Sequence, residues 1–350
     1  MEIDGGQLEG GGQIIRTCCS IASIKHFDIK IHSIRKNRPK PGLAEQHIVC
    51  IKSIGEIFGI PLENVRLKQL ELLFEGSKGK EMKEPICKTF KMKGAGSCCL
   101  VLQSLLPILI SIEGSHQVSI HGGTHALWAP TPEFYNDILS PVLKLMGITL
   151  NVQLKKYGFF PKGGGQIDCL VQSPSSIQPI KLIERGNGIK ISGQIVGGKG
   201  DEEEIISILQ FIKKECRKNI RINGEPLVCE VEGRCHSNGK TKYVELYVEF
   251  EYCRISSCCV QENNETFKNL VIRTLNKLYE EFEHGGCCDE FLQDQLLIPM
   301  ALANGHSMIS CGKISLHSET MFVLLKQLLG VTFNVISQGS YNIIECSLLK

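Results

Sequence analysis

Three glycine-led turns stand where helices are due to begin: Glu9-Gly10-Gly11-Gly12-Gln13, Lys93-Gly94-Ala95-Gly96-Ser97 and His284-Gly285-Gly286. A helix N-terminus presents unpaired N–H groups and about half a positive charge, so each turn is a candidate anion site. Packing turns use the same glycines. The first turn has the richest flanks. Glu9 is suited to hold a divalent cation beside a phosphate, although helix-start electrostatics explain it equally, and Arg16 can reach the same anion from within the helix. A second concentration of charge is Arg35-Lys36-Asn37-Arg38-Pro39-Lys40-Pro41-Gly42, followed by Gln46-His47. Four cations stiffened by two prolines make a phosphate cradle or a solvated basic loop. The stretch Asp289–Leu297 puts Glu290, Asp294 and Gln295 on one helix side, with Leu292, Leu296 and Leu297 opposite. That polar face reads a nucleobase or is simply wet. Gln103 interrupts an apolar helix, as a core hydrogen-bonding group or as a ligand contact. His317, in Ser315-Leu316-His317-Ser318, is one of ten histidines.

The elements that must position these groups repeat. A helix-like run closing on glycine and passing at once into a strand occurs at Gly59, Gly147 and Gly330, as left-handed helix closure demands. The first two closures are 88 residues apart and the last two 183, so about 95 additional residues fall between the second and third units. The expectation is an α/β fold of three repeated βαβαββ units with helices packed inward, plus a small inserted αβ domain between units two and three. Residues 1–181 and 281–350 form the three-unit domain and 182–280 the insert. The second strands are expected at 27–34, 117–120 and 313–316, and the second helices at 43–58, 132–146 and 319–329. In the insert, strands are expected at 189–196, 227–231 and 243–250, and helices at 201–218 and 265–282. Register then puts the basic loop, the turn His121-Gly122-Gly123-Thr124-His125 with Trp128 and Pro130, and His317 at equivalent strand ends, where ligands gather.

Composition narrows the class. The 350 residues hold 39 Lys+Arg against 37 Asp+Glu, and 42% are hydrophobic. This excludes disorder as the main state and excludes binding of nucleic acid by bulk charge, leaving room for a local basic site. The seventeen cysteines include no CxxC pair and read as buried small hydrophobes in a reducing compartment. The acidic start MEIDGGQLEGGG is no signal peptide, and the most apolar run, 98–112, is too short and interrupted to span a bilayer. A soluble, intracellular protein is expected, with no membrane partner.

These motifs resemble RNA 3′-terminal phosphate cyclases over essentially the whole length. The matching stretches are EGGGQIIR at 9–16, IRKNRPKPGLAEQH at 34–47, AGSCCLVLQ at 95–103, HGGTHALWAP at 121–130 and YGFFPKGGGQ at 157–166. They continue with ERGN at 184–187, HGGCCDEFLQDQLLIPMALANG at 284–305 and SLHSET at 315–320. The resemblance implies ATP as substrate, Mg²⁺ or Mn²⁺ as cofactor, and an RNA with a 3′-phosphate end as partner, with no reading of duplex DNA and a homodimer left open. His317 would attack the α-phosphate of ATP and take AMP. Gln103, Pro130, Phe291, Leu292, Gln293, Asp294 and Gln295 would line the nucleotide. Glu9 would bind the metal, and Arg16, Arg35, Arg38 and Gln46 would hold phosphates. The compartment implied is the nucleoplasm in a eukaryote and the cytoplasm otherwise. The stretch 251–264 lacks the glycine-containing run expected of the family. Non-catalytic, cyclase-like ribosome-assembly factors share the fold without the nucleophile, and His317 with Asp294-Gln295 argues against that reading. Another three-unit transferase acting on a small anion is the remaining rival.

Overall fold

The computed structural model describes residues 1–236 and 239–348. Its helices are α1 (Gly12–Lys25), α2 (Glu45–Phe58), α3 (Cys98–Ser111), α4 (Ser140–Leu145, continuing a π-turn over Phe134–Leu139), α5 (Glu202–Asn219), α6 (Phe267–Glu283), α7 (Glu290–Leu302) and α8 (Leu316–Leu329). Five of them meet in the interior: α1 packs on α2, α3 and α8, α3 on α2 and α7, and α7 on α8. Residues 13–23 of α1 are all buried. An ordinary surface helix buries one stripe, so this one is enclosed on every side. Its Gln13 and Arg16 therefore need partners from neighbouring helices.

Sheets surround these helices. The strands Cys87–Lys91, Gly114–Gly122, Gly165–Ser173 and Thr149–Lys156 lie in that spatial order. The first pair is parallel and the other two pairs are antiparallel. Lys181–Leu182, Ser307–Cys311, Tyr341–Leu348 and Val331–Gln338 form a sheet of the same order and pairing sense. The sheet of Glu2–Asp4, Asp28–His32 and Leu72–Glu75 has three strands among the described residues, so the fourth strand expected in the first unit is missing there. A further sheet, Val228–Cys235, Gly188–Gly197, Tyr243–Phe250 and Arg254–Val260, is covered by α5 and α6.

A further expectation needs correction. The strand expected at 313–316 lies at Ser307–Cys311. Ser315 instead caps α8, its hydroxyl accepting the Ser318 N–H at 3.0 Å, and a capped serine starts a helix. Ile314 and Leu316 alternate like strand residues, a pattern that a helix entry can share over so short a stretch. The stretch 251–264, noted only for its missing glycines, contains the strand Arg254–Val260, paired antiparallel with Tyr243–Phe250. Within ERGN, Arg185 donates to the carbonyls of Gly286, Phe282 and Glu281 at 2.6, 2.6 and 2.8 Å. It ties the end of α6 to the turn before α7. Among the described residues no helix is long and apolar enough to cross a membrane.

Candidate active site

The turn 9–12 is built to bring groups close. Gly10 is left-handed, at φ 59°. A Cβ on Gly11 would strike the Glu9 carboxylate, and one on Gly12 would strike the His47 ring and Arg16. Gly10 needs glycine for its backbone conformation, and the missing Cβ atoms at Gly11 and Gly12 leave room for these polar side-chain ends. The Glu9 N–H donates to Thr320 Oγ1 at 3.2 Å, which seats the turn against the start of α8, where His317 lies in the first helical turn.

His317 projects toward α1. Its Nδ1 lies 2.9 Å from Gln13 Oε1, and Gln13 Nε2 donates to Asp294 Oδ2 at 3.3 Å. The other Asp294 oxygen accepts from Gln295 Nε2 at 2.8 Å. Two amides thus point their N–H groups at one carboxylate, which turns the Gln13 oxygen toward the imidazole. An amide oxygen only accepts, so Nδ1 is the donor, and in the neutral tautomer this leaves the lone pair on Nε2. His317 is an exposed residue. Burial pushes the Asp294 carboxyl up to about 6, against the opposing pull of His317 and Arg16.

Arg16 lies one turn beyond Gln13. Its Nε donates to Gln103 Oε1 at 2.9 Å, and burial lowers its pKa. With Asp294, Gln295, Ile298 and Pro299 these side chains line one cleft. His47 backs it: burial, with Arg16 and Arg35 nearby, holds its imidazole down to about 3, so the ring stays neutral beside two guanidinium groups. Its Nδ1 accepts from the Ala44 N–H at 3.0 Å.

The remaining residues named from the sequence fall into three groups. Arg38 forms an ion pair with Glu9 and donates to the Glu9 carbonyl at 2.9 Å, so it joins the cluster. Phe291 is 43% exposed, with Lys277 Nζ 5.8 Å from its ring centroid, and Pro130 is half-buried. Neither side chain has a polar atom to join the hydrogen-bonded cluster. The others, Leu292 apart, brace backbone. Arg35 donates to the Lys40 and Gly42 carbonyls at 2.8 and 3.0 Å. Gln46 accepts from the Ser97 N–H at 2.6 Å and donates to the Ser97 carbonyl at 3.2 Å. Gln293, 1% exposed, accepts from the Ser315 N–H and the Ser318 hydroxyl at 3.2 and 3.0 Å and donates to the Lys313 carbonyl at 3.1 Å. The segment that presents His317 takes both lone pairs of its amide oxygen and one of its two N–H bonds. Leu292 is fully buried in the core. Gln13, His47 and Thr320 take no role from sequence reasoning. The one signal for them is their place inside the glycine-led turn, the basic loop and the histidine stretch.

Among the described residues no three His, Cys, Asp or Glu side chains gather as a metal site. Glu9 Oε2, however, is buried without a hydrogen-bond partner, a cost that a cation would remove. One carboxylate completed by substrate oxygens and water suits Mg²⁺ or Mn²⁺.

The profile of the RNA 3′-terminal phosphate cyclase family matches residues 7–335. A probable RNA 3′-terminal phosphate cyclase of Dictyostelium discoideum is 30% identical over 341 residues, 95% of this chain and 78% of that protein. RNA 3′-terminal phosphate cyclases of Salmonella paratyphi C and Methanothermobacter thermautotrophicus are 30% and 27% identical over 340 and 337 residues. Each alignment covers 95% of this chain, and 93% and 95% of the relative. A solved enolpyruvyl transferase from Streptomyces tendae aligns over 99% of this chain and 82% of its own, at 11% identity and a TM-score of 0.25, too little to bear on the fold. With the profile spanning nearly the whole sequence, the chain belongs to the RNA 3′-terminal phosphate cyclase family.

Proposed function

We propose that the chain converts an RNA 3′-terminal phosphate to a 2′,3′-cyclic phosphodiester at the expense of ATP, through an adenylate held on His317. What supports this is the line Asp294–Gln13–His317 ending on an exposed residue, an arrangement in which a neutral imidazole carries its proton on Nδ1 and its lone pair on Nε2. A neutral imidazole nitrogen is a competent nucleophile toward phosphorus. Nε2 forms a P–N bond to the α-phosphate as the bond to the β-phosphate oxygen breaks and pyrophosphate leaves. An oxygen of the RNA 3′-phosphate then takes the adenylate from nitrogen, giving a 3′-phosphate joined to AMP. The vicinal 2′-hydroxyl attacks that activated phosphate, loses its proton and expels AMP.

The side chains divide the work. Phosphoryl transfer needs charge neutralisation and alignment more than proton transfer. Arg16 supplies fixed positive charge beside the cleft, and Arg38 supplies it at Glu9. Glu9 would hold Mg²⁺ or Mn²⁺, whose charge eases pyrophosphate departure. Gln103 holds Arg16 in place. Gln295 and Gln13 hold Asp294, and Asp294 in turn fixes Gln13. Phe291 and Pro130 supply apolar surface suited to an adenine. Arg35, Gln46 and Gln293 act on the backbone that carries these groups. Seventeen unpaired cysteines suit work inside the cell, where thiols stay reduced.

The shared strand order of two sheets supports the further reading that the fold repeats one βαβαββ unit three times, and that 182–280 is an insertion. Incubation with α-labelled ATP tests the function. Wild-type chain takes up label that survives base and is released by acid, as expected of a phosphoramidate, and His317→Ala takes up none. A wild-type chain that binds 3′-phosphate RNA yet never labels would be a scaffold, and the catalytic reading would fall.

A further inference from the structure

The sheet containing Cys87–Lys91 carries a charge imbalance that the rest of the chain lacks. Residues 85–173 hold seven lysines (Lys88, Lys91, Lys93, Lys144, Lys155, Lys156 and Lys162) and four carboxylates, Glu113, Glu133, Asp137 and Asp168. Glu113 alone of the four is exposed, and it precedes Gly114, at the far end of the strand Gly114–Gly122. Asp168 accepts from Gln166 and Ser119 at 2.9 and 2.7 Å. Glu133 is committed to His125 at 3.0 Å and to the Tyr243 hydroxyl at 2.7 Å. Lys88 pairs with Glu56 and Lys155 with Asp168. The other five lysines have no ion-pair partner among the described residues.

Register gathers part of this charge. Lys91, His121, Gln166 and Lys156 are consecutive cross-strand neighbours. Their chain neighbours Phe90, Ile120 and Ile167 are buried, so the row faces outward. Three loops continue past it. The Gly123 N–H donates to the Gly96 carbonyl at 2.7 Å and the Thr124 N–H to the Gly158 carbonyl at 2.8 Å. Gly163 lies against the Gly94 carbonyl. On this joined surface Trp128 is 91% and Phe160 81% exposed, with Lys93 and Lys162 exposed on the same loops. The first of these loops is tied to α2 next to His47, which backs the cleft, because Gln46 grips both backbone groups of Ser97. From Ser97 to Gly94 the chain can span at most roughly 10 Å.

Exposed aromatic rings interleaved with unpaired cations are what single-stranded nucleic acid requires: π-faces for bases and point charges for phosphates. We propose that the row Lys91–His121–Gln166–Lys156 and the loops bearing Lys93, Trp128, Phe160 and Lys162 form a track for the nucleotides upstream of the RNA 3′ end, with bases stacking on Trp128 and Phe160. This rests on RNA being the substrate.

Binding is read by fluorescence anisotropy of labelled, single-stranded 3′-phosphate RNAs, one of about twelve nucleotides and one of about three, sharing one 3′ end. Trp128→Ala and Phe160→Ala each weaken the longer RNA about 5- to 100-fold and leave the shorter within about twofold. Lys93→Gln and Lys162→Gln each reduce the slope of log affinity against log salt by about 0.7 for the longer RNA. Thermal midpoints of the variants show that they fold. Equal weakening for both lengths, or no weakening for either, overturns the track. Anisotropy reads binding whether or not turnover occurs. A wild-type chain that shows the length-dependent pattern but never labels with ATP would lose the cyclase chemistry and keep the track.

Discussion

Replacing Asp294 by Asn separates stability from chemistry. The ordinary Asp pKa is 3.8, and burial raises it to about 6 in the folded chain. The fold therefore holds the proton more tightly than the unfolded chain does. The stability this gives is fully present below the ordinary value and is lost as pH rises through the raised one. Each pH unit between the two values is worth about 1.4 kcal/mol, so at pH 7 the ionised carboxylate costs the fold roughly 3 kcal/mol at most. Asn carries no charge and removes that cost, but it has one acceptor where two amides donate. The lost hydrogen bond returns about 1 kcal/mol. Asp294→Asn should thus raise the midpoint of thermal unfolding at pH 7 by a few degrees, a gain of roughly 1–2 kcal/mol. At pH 4 it should raise it little or not at all. Adenylylation moves the other way. If Gln295 keeps the acceptor, the new NH₂ faces the NH₂ of Gln13. That amide then rotates, its oxygen leaves Nδ1, and the imidazole loses its enforced tautomer. A mis-set tautomer in a comparable His-centred site costs about 10⁴-fold, so a fall of about 10²- to 10⁴-fold in single-turnover labelling is expected. In the wild type the labelling rate should fall below about pH 6 as Asp294 takes up a proton. A variant that labels at the wild-type rate, or one that is less stable at pH 7 than at pH 4 relative to wild type, refutes the orientation argument.

Two other substitutions probe the same machinery from outside the reacting atoms. Gln293→Ala strips hydrogen-bond partners from Ser315, Ser318 and Lys313. Ser315 and Ser318 are buried, so with about 1–3 kcal/mol for each buried group left unsatisfied it should destabilise the chain by roughly 2–6 kcal/mol in urea titration. It should also lower the labelling rate at saturating ATP more than it raises the ATP requirement, and an ATP requirement that moves alone would return Gln293 to direct nucleotide contact. Glu9→Gln keeps the size of the side chain but removes its charge beside Arg38 and the orphaned Oε2. Half-maximal labelling should then need about tenfold more Mg²⁺ or Mn²⁺, and an unchanged metal titration would remove Glu9 from the metal site.

What could be read in the sequence was local. Gly59 and Gly330 close their helices at φ 68° and 67°, because a left-handed closure must be written at one residue. The leucines of α7 are buried on the side that their spacing assigned. Thirteen of the seventeen cysteines are buried, as small hydrophobes should be. What could not be read was which amide meets which partner. Gln13 and Asp294 are 281 residues apart, and no helical or strand period links them. Helix packing alone brings them together, so nothing marks Gln13 inside a motif whose visible features are its glycines and arginine. Nor could the sequence show which backbone Gln46 and Gln293 hold. Each is a buried or half-buried amide gripping the cap residue of another helix, Ser97 for α3 and Ser315 for α8, and an amide facing a backbone is indistinguishable in sequence from one facing a nucleotide. The two grips have a common consequence. A helix N-terminus directs its N–H groups only as well as its first turn is held, and in this chain the turns that begin α3 and α8 are each clamped by a glutamine from a neighbouring helix. The N-termini of α3 and α8 are therefore set by the packing of the helical interior, so a core substitution that shifts α2 should alter adenylylation although α2 carries no group proposed to meet ATP.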